Sequence, residues 1–289
     1  MTQTILSRAR RVAFQGEPGA YANLAAREAL PQCECVPMPT FDAALDAVRD
    51  GVTDLAIIPI ENSLHGRIAD IHHLLPEAGL YIVGEHFHRV RHQLLAIKGA
   101  TIDGLKTVLS QGPALGQCRR IIRELKLSAQ NWHDTAGSAR HVAELKDPSV
   151  AAIASSLAAE FYGLEILKPD IEDAGHNMTR FLIMAREADD APHDGRAVVT
   201  TFIFRVRNVP AALYKAMGGF ATNGVNLTKL ESYQLGGSFN ATQFYVDIEG
   251  HPEDRLVRLA LEELQFFSTR LTILGVYHAS DFRKVMPTD

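Results

Sequence analysis

The chain has 289 residues, of which 46% are hydrophobic and 22% charged, and its formal net charge at pH 7 is -5. This length predicts two domains and a sizeable core, and the composition is that of an ordinary globular protein. The negative charge argues against a nucleic-acid or anionic-membrane partner. No apolar run approaches the roughly 18 residues that span a bilayer, and no signal-peptide core is found, so a cytoplasmic location is expected.

The termini and the cysteines predict little chemistry. Residues 1–11 are expected to be a short disordered lead-in. Three cysteines, Cys33, Cys35 and Cys118, fit a reducing compartment. Cys33 and Cys35 could form half of a metal site, but zinc ligands usually come in tighter pairs, so no metal is predicted. The histidines weighed as further ligands are His72, His73, His86, His88 and His92.

Up to about residue 185 the chain alternates between strand and helix patterns. The predicted strands are residues 12–16, 54–60, 92–97, 106–110, 150–154 and 181–185. The predicted helices are 20–30, 114–126, 156–162 and one from about 135 with a hydroxyl at its cap. This alternation predicts an α/β domain with a largely parallel sheet. Polar residues follow the strand ends, where such sheets bind ligands, and helix N-termini there offer N–H donors to carboxylates.

A polar linker at residues 187–196 separates this domain from a different pattern. Strands are predicted at 198–206, 225–233, 239–248 and 270–277, with helices at 210–220 and 252–266. The order β-α-β-β-α-β is the ferredoxin-like arrangement.

The most informative segment is Thr179-Arg180-Phe181, at the point where a loop enters the strand predicted from residue 181. Strand alternation would send Thr179 and Phe181 to one face and Arg180 to the other. In a loop the rule loosens, so all three side chains could meet one anionic, ring-shaped substrate. A polar strand edge with an exposed arginine is the alternative.

Five motifs stand in the order of a known family. They are Gln15 through Tyr21, Pro59-Ile60-Glu61-Asn62-Ser63 with Gly66, Gln111 through Cys118, Asp134 through Ala139, and Asn177 through Phe181. From about residue 12 to 280 the chain resembles bacterial monofunctional prephenate dehydratases. The C-terminal module resembles an ACT domain, which is the phenylalanine sensor of that family.

The resemblance implies a domain organisation. Residues 12–186 would be a catalytic domain of two α/β lobes like those of periplasmic binding proteins. One lobe would hold about 12–90 with 181–186, and the other about 91–178, with the active site between them. Residues 187–196 would be the linker and 197–280 the ACT regulatory domain.

The resemblance also implies roles at the site. The substrate would be prephenate, and aromatisation to phenylpyruvate needs no cofactor. Thr179 would be catalytic, as hydrogen-bond donor or proton relay to the leaving oxygen. A hydroxyl is a very weak acid, so Glu61 is a candidate relay. Arg180 would anchor a carboxylate through paired hydrogen bonds, and Phe181 would pack beside the ring or in the core.

The remaining substrate-binding candidates are Asn62, Ser63, Thr135, Ala136 and Asn177. Asn62 and Ser63 have an alternative role as caps of the following helix, and so do Thr135 and Ser138.

For the sensor module the resemblance implies L-phenylalanine as effector and a homodimer or homotetramer. The effector-binding candidates are Ala212, Leu213, Asn226, Leu227, Glu231 and Ser232. Two departures from the family pattern are Ala211 in place of glycine and Tyr233-Gln234 in place of Arg-Pro.

Two other functions remain open on the sequence. Arogenate dehydratase would use the same chemistry on a substrate that carries an amino acid side chain. A non-catalytic amino-acid sensor would use the same folds, but it has no need of a hydroxyl at the leaving-group position.

Overall fold

A computed structural model describes residues 4–234 and 241–285 of the chain. The chain forms two compact units. The N-terminal unit consists of residues 10–68 and 86–181, and the C-terminal unit of the described parts of residues 1–9, 69–85 and 182–289. Within the described residues, no helix has the length and apolarity needed to cross a membrane.

The helices and strands have the following bounds. The helices are α1 (Ile5–Arg8), α2 (Tyr21–Ala29), α3 (Phe41–Arg49), α4 (Ala69–Leu74), α5 (Gly112–Gln117), α6 (Arg119–Glu124), α7 (Thr135–Leu145), α8 (Ser156–Tyr162), α9 (Ala212–Thr222) and α10 (Arg255–Phe267). The strands are β1 (Arg11–Gln15), β2 (Glu34–Met38), β3 (Leu55–Asn62), β4 (Gly66–Arg67), β5 (Tyr81–Arg89), β6 (Gln93–Ala96), β7 (Thr107–Ser110), β8 (Ser128–Asn131), β9 (Val150–Ala154), β10 (Glu165–Lys168), β11 (Met178–Ala185), β12 (Val198–Arg205), β13 (Leu227–Gln234), β14 (Ala241–Glu249) and β15 (Arg270–His278).

The first sheet has the strand order β2-β1-β3-β11-β5. Strand β1 is parallel to both β2 and β3. The short β4 pairs antiparallel with the end of β3, joining Glu61 to Arg67 and Asn62 to Gly66. Strands β3 and β11 are therefore neighbours, and this pairing brings residues from distant parts of the sequence together.

The second sheet has the order β10-β6-β9-β7-β8 and lies in the N-terminal unit. It is mixed, because β7 is parallel to β8 and β9 while β6 is antiparallel to β9 and β10. The largely parallel sheet expected from the sequence is therefore wrong for this sheet. Alternate residues of β6, β7 and β9 enter two separate apolar clusters, so both faces are buried and the strands are continuously apolar.

The third sheet belongs to the C-terminal unit and has the order β13-β14-β12-β15. With α9 and α10 it gives the predicted β-α-β-β-α-β order. One face packs on these helices through a cluster that includes Phe202, Phe220 and Phe244. The helices approach closely at Gly219, where a Cβ would lie 2.9 Å from the Glu263 side chain.

Several elements depart from the sequence prediction. In the lead-in, residues 5–8 form α1, whose N-cap Thr4 accepts a hydrogen bond from the Ser7 N–H, and Arg11 already belongs to β1. The single helix predicted at 114–126 is two helices, because the backbone of the buried Cys118 leaves the helical region at φ -122° and ψ 28°. Phe239 and Asn240, at the start of a predicted strand, lie outside the described residues.

Candidate active site

The segment Thr179-Arg180-Phe181 lies inside a strand and not in a loop. Strand β11 begins at Met178, three residues earlier than expected, and all three side chains are buried. Arg180 donates a 2.9 Å hydrogen bond to Glu61, whereas Thr179 bonds to Asn62. Because adjacent strand residues point to opposite faces, the Thr179–Asn62 pair and the Arg180–Glu61 pair occupy different faces of the sheet. The expectation that a loose loop lets all three converge is wrong.

The hydroxyl of Thr179 is an acceptor within the protein. Asn62 Nδ2 donates to Thr179 Oγ1 at 3.0 Å, and within residues 4–234 and 241–285 this is the one hydrogen bond of that hydroxyl. A hydroxyl has one hydrogen and can both donate and accept. The hydrogen of Thr179 is therefore available to a substrate.

The orientation of the Asn62 amide is set by the turn after β3. Its Oδ1 accepts the backbone N–H groups of Leu64 at 2.9 Å and His65 at 3.1 Å, which is an Asx turn. The Nδ2 group must then face its acceptors, which are Asn177 Oδ1 at 2.7 Å, Thr179 Oγ1 at 3.0 Å and the Met178 carbonyl at 3.1 Å. The predicted alternative, a helix cap at Asn62 or Ser63, is wrong, because the next helix begins only at Ala69.

Ser63 fastens the segment that precedes β11. Its hydroxyl donates to the His176 carbonyl at 2.8 Å and accepts the Met178 N–H at 2.9 Å. Its backbone N–H donates to the Met178 carbonyl at 2.8 Å. Ser63 thereby places the start of the strand that carries Thr179.

Asn177 connects this group to residues that the sequence did not single out. Its Oδ1 accepts from Asn62 Nδ2 at 2.7 Å, and its Nδ2 donates to Gln117 Oε1 at 2.9 Å. Gln117 Oε1 lies 2.6 Å from His92 Nε2, and His92 Nδ1 lies 2.7 Å from the Tyr21 hydroxyl. Gln117 and Tyr21 lay inside family motifs, but nothing in the sequence distinguished His92 from the other histidines.

Burial shapes the protonation of this chain of groups. His92 is 2% exposed, and its burial lowers the pKa of the imidazole despite the hydrogen bond to Gln117. Burial likewise raises the pKa of the Tyr21 hydroxyl well above its usual value. Both groups are therefore neutral at pH 7. Burial also raises the pKa of the Cys118 thiol, so this cysteine is no nucleophile.

Thr135 and Ala136 form the first turn of α7 and are buried. The helix is capped by Asp134, whose Oδ1 accepts the Gly137 N–H at 2.6 Å, so the predicted hydroxyl cap is wrong. Ser138 instead donates to the Thr135 carbonyl. Among the described residues, the side-chain hydrogen bonds of Thr179 and its partners do not reach this helix start, and its role in substrate binding stays a prediction.

The loop after β1, which carries the first family motif, has a structural role. Gly19 has φ +89°, and a Cβ there would lie 2.6 Å from the Ala158 Cα. The Ser155 hydroxyl donates to the Gly19 carbonyl, and Arg140 bonds to Glu17, which lowers the pKa of that carboxyl. The glycine is required both by the left-handed backbone and by the close contact.

The effector candidates lie in the C-terminal unit. Ala212 and Leu213 begin α9 and are half-buried. Asn226 donates to Glu249 at 2.9 Å, and Glu231 pairs with Lys229 at 3.3 Å. Leu227 is half-buried and Ser232 is exposed on the same strand, β13.

The two departures from the family pattern have visible consequences. Ala211 adopts φ +60°, a left-handed conformation that favours the glycine usual in the family. Tyr233 is 4% exposed, and its hydroxyl lies 2.7 Å from His72 Nδ1 in α4. The residue that replaces the usual arginine therefore joins β13 to α4.

Among the described residues, two groups have metal-ligand geometry, and neither contains a cysteine. Glu28, His86 and His88 form one, and His193, His251 and Glu253 the other. In the first, Glu28 Oε2 lies 2.9 Å from both imidazoles. Burial opposes ionisation of Glu28, but these hydrogen bonds outweigh it and lower the pKa of its carboxyl. His86 and His88 are therefore each bonded to Glu28.

Comparison with known proteins identifies the family. The prephenate dehydratase family model matches residues 12–189. The chain is 53% identical over 275 residues to a Komagataeibacter europaeus protein named bifunctional N-acyl-homoserine lactone acylase/prephenate dehydratase, covering 95% of this chain and 98% of that one. It is 41% identical over 287 residues to arogenate dehydratase/prephenate dehydratase 2 of Arabidopsis thaliana, covering 96% and 75%.

A solved structure supports the same conclusion. The prephenate dehydratase of Arthrobacter aurescens, in complex with L-Phe, aligns with a TM-score of 0.85 at 29% identity, covering 94% of this chain and 90% of that one. A buried hydroxyl on a strand, held by an amide from the neighbouring strand, is thus found in a carbon–oxygen lyase. The chain belongs to the prephenate dehydratase family. This confirms the family predicted from its motifs, whereas the monofunctional type and the ACT domain stay predictions.

Proposed function

We propose that the chain converts prephenate into phenylpyruvate, carbon dioxide and water, and that the Thr179 hydroxyl assists the departing ring hydroxyl. The carbon–carbon bond to the ring carboxylate breaks, its electrons complete the aromatic ring, and the carbon–oxygen bond to the hydroxyl breaks. The departing hydroxide then takes a proton. The observation that supports this role is the Asn62 hydrogen bond, which leaves the Thr179 hydrogen for the leaving oxygen.

The role proposed for Asn62, Ser63 and Asn177 differs from the role predicted from the sequence. Asn62, Ser63 and Asn177 were predicted to contact substrate, yet the bonds described above go to one another and to the backbone. We therefore assign to them the positioning of Thr179 as well. For a substrate carboxylate we propose the N–H groups at the start of α7, at Thr135 and Ala136, where the helix dipole favours an anion.

Arg180 and Glu61 are proposed as the charged groups of the site. For Arg180 to bind the second carboxylate, in competition with Glu61, the substrate would have to reach around the end of β11 to the face opposite Thr179. Phe181 would pack against this pair of strands. Glu61 would relay the proton that a threonine hydroxyl is too weak an acid to provide alone. Because Glu61 pairs with Arg180 on the face opposite Thr179, this relay would have to run through water around the ends of β3 and β11. No metal or cofactor is required by this chemistry.

The domain organisation is part of the proposal. Residues 12–186 would be the catalytic domain with two lobes of the periplasmic-binding-protein type, 187–196 the linker, and 197–280 an ACT domain. L-phenylalanine would bind at Ala212, Leu213, Asn226, Leu227, Glu231 and Ser232 across an interface of a cytoplasmic homodimer or homotetramer. The β-α-β-β-α-β order and the L-Phe complex of the Arthrobacter relative support this regulation.

Arogenate is the second candidate substrate, because the Arabidopsis relative is named for both dehydratase activities. The test is an assay of the purified chain with prephenate and, separately, arogenate in chelator-treated buffer, following the absorbance of the aromatic product. We expect phenylpyruvate from prephenate at the higher kcat/KM. A preference for arogenate would reassign the substrate, and no product from either would refute the proposed function.

A further inference from the structure

Six side chains form one continuous chain of hydrogen bonds that ends at the Thr179 hydroxyl. In order they are Tyr21, His92, Gln117, Asn177, Asn62 and Thr179. In each of the five hydrogen bonds that link them, the two heavy atoms lie between 2.6 and 3.0 Å apart. Apart from the partly exposed Asn62, Gln117 and Tyr21, its members are buried. Such networks act as units, because each group orients the next.

The direction of every bond follows from the Asx turn at one end. Two backbone N–H groups fix Asn62 Oδ1, so its Nδ2 faces the Oδ1 of Asn177. Because Asn177 Oδ1 faces Asn62, its Nδ2 is the group that faces Gln117. Gln117 must therefore turn its Oε1 towards Asn177 to accept this hydrogen bond. Because Gln117 Oε1 also faces His92 Nε2, that nitrogen carries a hydrogen.

The other end of the chain agrees with this direction. A neutral His92 with hydrogen on Nε2 has a lone pair on Nδ1, and the Tyr21 hydroxyl donates to it at 2.7 Å. The Arg91 carbonyl, 3.1 Å from the same hydroxyl, is the alternative acceptor. If the Tyr21 hydroxyl donated to the Arg91 carbonyl, its oxygen would have to accept a hydrogen from His92 Nδ1. The neutral imidazole would then have a lone pair on Nε2 facing the lone pairs of Gln117 Oε1, which is unfavourable.

The backbone holds the two central residues firmly. The His92 N–H donates to Glu172 Oε2 and its carbonyl accepts from the Ile171 N–H, both at 2.9 Å. The Gln117 carbonyl accepts from the Asp173 N–H at 2.7 Å. The imidazole and the amide are therefore presented to each other at fixed positions.

We propose that His92, oriented by Tyr21, is a positioning residue for the dehydration step: its Nε2–H fixes Gln117, and through Asn177 and Asn62 keeps the Thr179 hydrogen directed at the substrate. This inference rests on the proposed function of Thr179. His92 exchanges no proton with substrate. The Asx turn fixes Asn62, whereas the His92 Nε2–H fixes the amides of Gln117 and Asn177. Loss of that donor lets these two amides turn over, so that Asn177 presents its Nδ2 to Asn62 Nδ2 and weakens the hold of Asn62 on Thr179.

The first test is the tautomer of His92 in the full-length chain without substrate, read from long-range ¹H–¹⁵N correlations of the imidazole at pH 7.5. The His92→Gln spectrum assigns the signal among the 12 histidines of the sequence. The inference requires a neutral ring with hydrogen on Nε2. A ring with hydrogen on Nδ1 overturns it. This readout does not depend on turnover, so it separates failure of the relay from failure of the proposed function.

The second test compares kcat and KM for prephenate in three variants. His92→Leu removes the donor, whereas His92→Gln keeps an N–H near the position of Nε2. We expect His92→Leu to lower kcat about ten- to a hundred-fold with KM within about two-fold, and His92→Gln to recover most of the loss. His88→Leu, another buried histidine whose ring lies 6.1 Å from the Tyr21 ring, is the matched control with unchanged kcat.

Three results overturn the inference. They are wild-type kcat in His92→Leu, equal loss in His92→Leu and His92→Gln, and equal loss in His88→Leu. If His92→Leu does not fold, Tyr21→Phe replaces it, since this variant removes only the hydroxyl that orients His92. A folded Tyr21→Phe protein with wild-type kcat and an unchanged tautomer then overturns the role of Tyr21.

Discussion

At the scale of single residues, the hydrogen bonds around Thr179 join parts of the chain that lie far apart in the sequence. The motif order pointed to Thr179, Arg180, Asn62 and Asn177, yet the two asparagines bond to each other across 115 residues of sequence. A sequence without an alignment does not reveal which strands pair. The same strand pairing places Arg180 against Glu61, a contact that follows only from β3 lying beside β11.

The Arg180–Glu61 ion pair leads to a prediction. The Arg180 side chain is 3% exposed, and an ammonium does not reproduce the planar fork of its guanidinium. Arg180→Lys is expected to raise KM for prephenate about ten-fold, because a carboxylate loses its paired hydrogen bonds. Steady-state kinetics and urea unfolding of the variant measure the two effects separately. If KM is unchanged while Arg180→Lys and Glu61→Gln lose similar stability, Arg180 is a structural partner only.

At the scale of elements, the hydrophobic pattern predicted the central strands of the first two sheets, all four strands of the third and most of the helices, because their apolar faces are buried as expected. Boundaries failed where tertiary contacts decide them. Strand β11 starts early because Ser63 pairs with Met178, and the helix at 114–126 breaks where Cys118 enters the core. The prediction lacked the sheet-edge strands β2, β5, β8 and β10, the short β4, and the helices α1, α3 and α4.

The start of α9 provides a prediction at this scale. Ala211 is held at φ +60°, which costs a residue with a Cβ about 1–2 kcal/mol, whereas glycine adopts it without this cost but loses more chain entropy. Ala211→Gly should therefore stabilise the protein by about 0.5–1 kcal/mol in urea unfolding. Ala221→Gly, at an exposed position in the last turn of the same helix, should instead destabilise it by at most about 1 kcal/mol. Equal destabilisation by both changes would contradict the assigned strain.

At the scale of the whole molecule, the family and the β-α-β-β-α-β order of the C-terminal module were predictable. Residues 69–85 fall within the C-terminal unit, and Gly275 of β15 comes so close to β5 that a Cβ would clash with the Ile82 carbonyl. The Tyr233–His72 hydrogen bond belongs to the same packing. In the sequence, residues 69–85 follow Glu61-Asn62-Ser63 and β4.

Regulation by the C-terminal unit is tested by ligand-dependent stability. If L-phenylalanine binds the folded chain, its stability should rise by about 2.7 kcal/mol at a hundred times the dissociation constant, with a matching rise in Tm. L-alanine, which lacks the ring, is the control and should have no effect at the same concentration. Calorimetric titration supplies the dissociation constant independently. No heat and no change of Tm or turnover at millimolar phenylalanine would show that the unit does not sense this amino acid.

The central claim is that the Thr179 hydroxyl acts on the leaving group, and the kcat of Thr179→Ala tests it most directly. Because the hydroxyl is assigned a contact made in the transition state, kcat should fall by about 10²–10⁴. The dissociation constant for prephenate, measured by calorimetry on the same variant, should stay within about three-fold of the wild-type value. A folded Thr179→Ala protein that turns over prephenate at close to the wild-type rate would contradict the account.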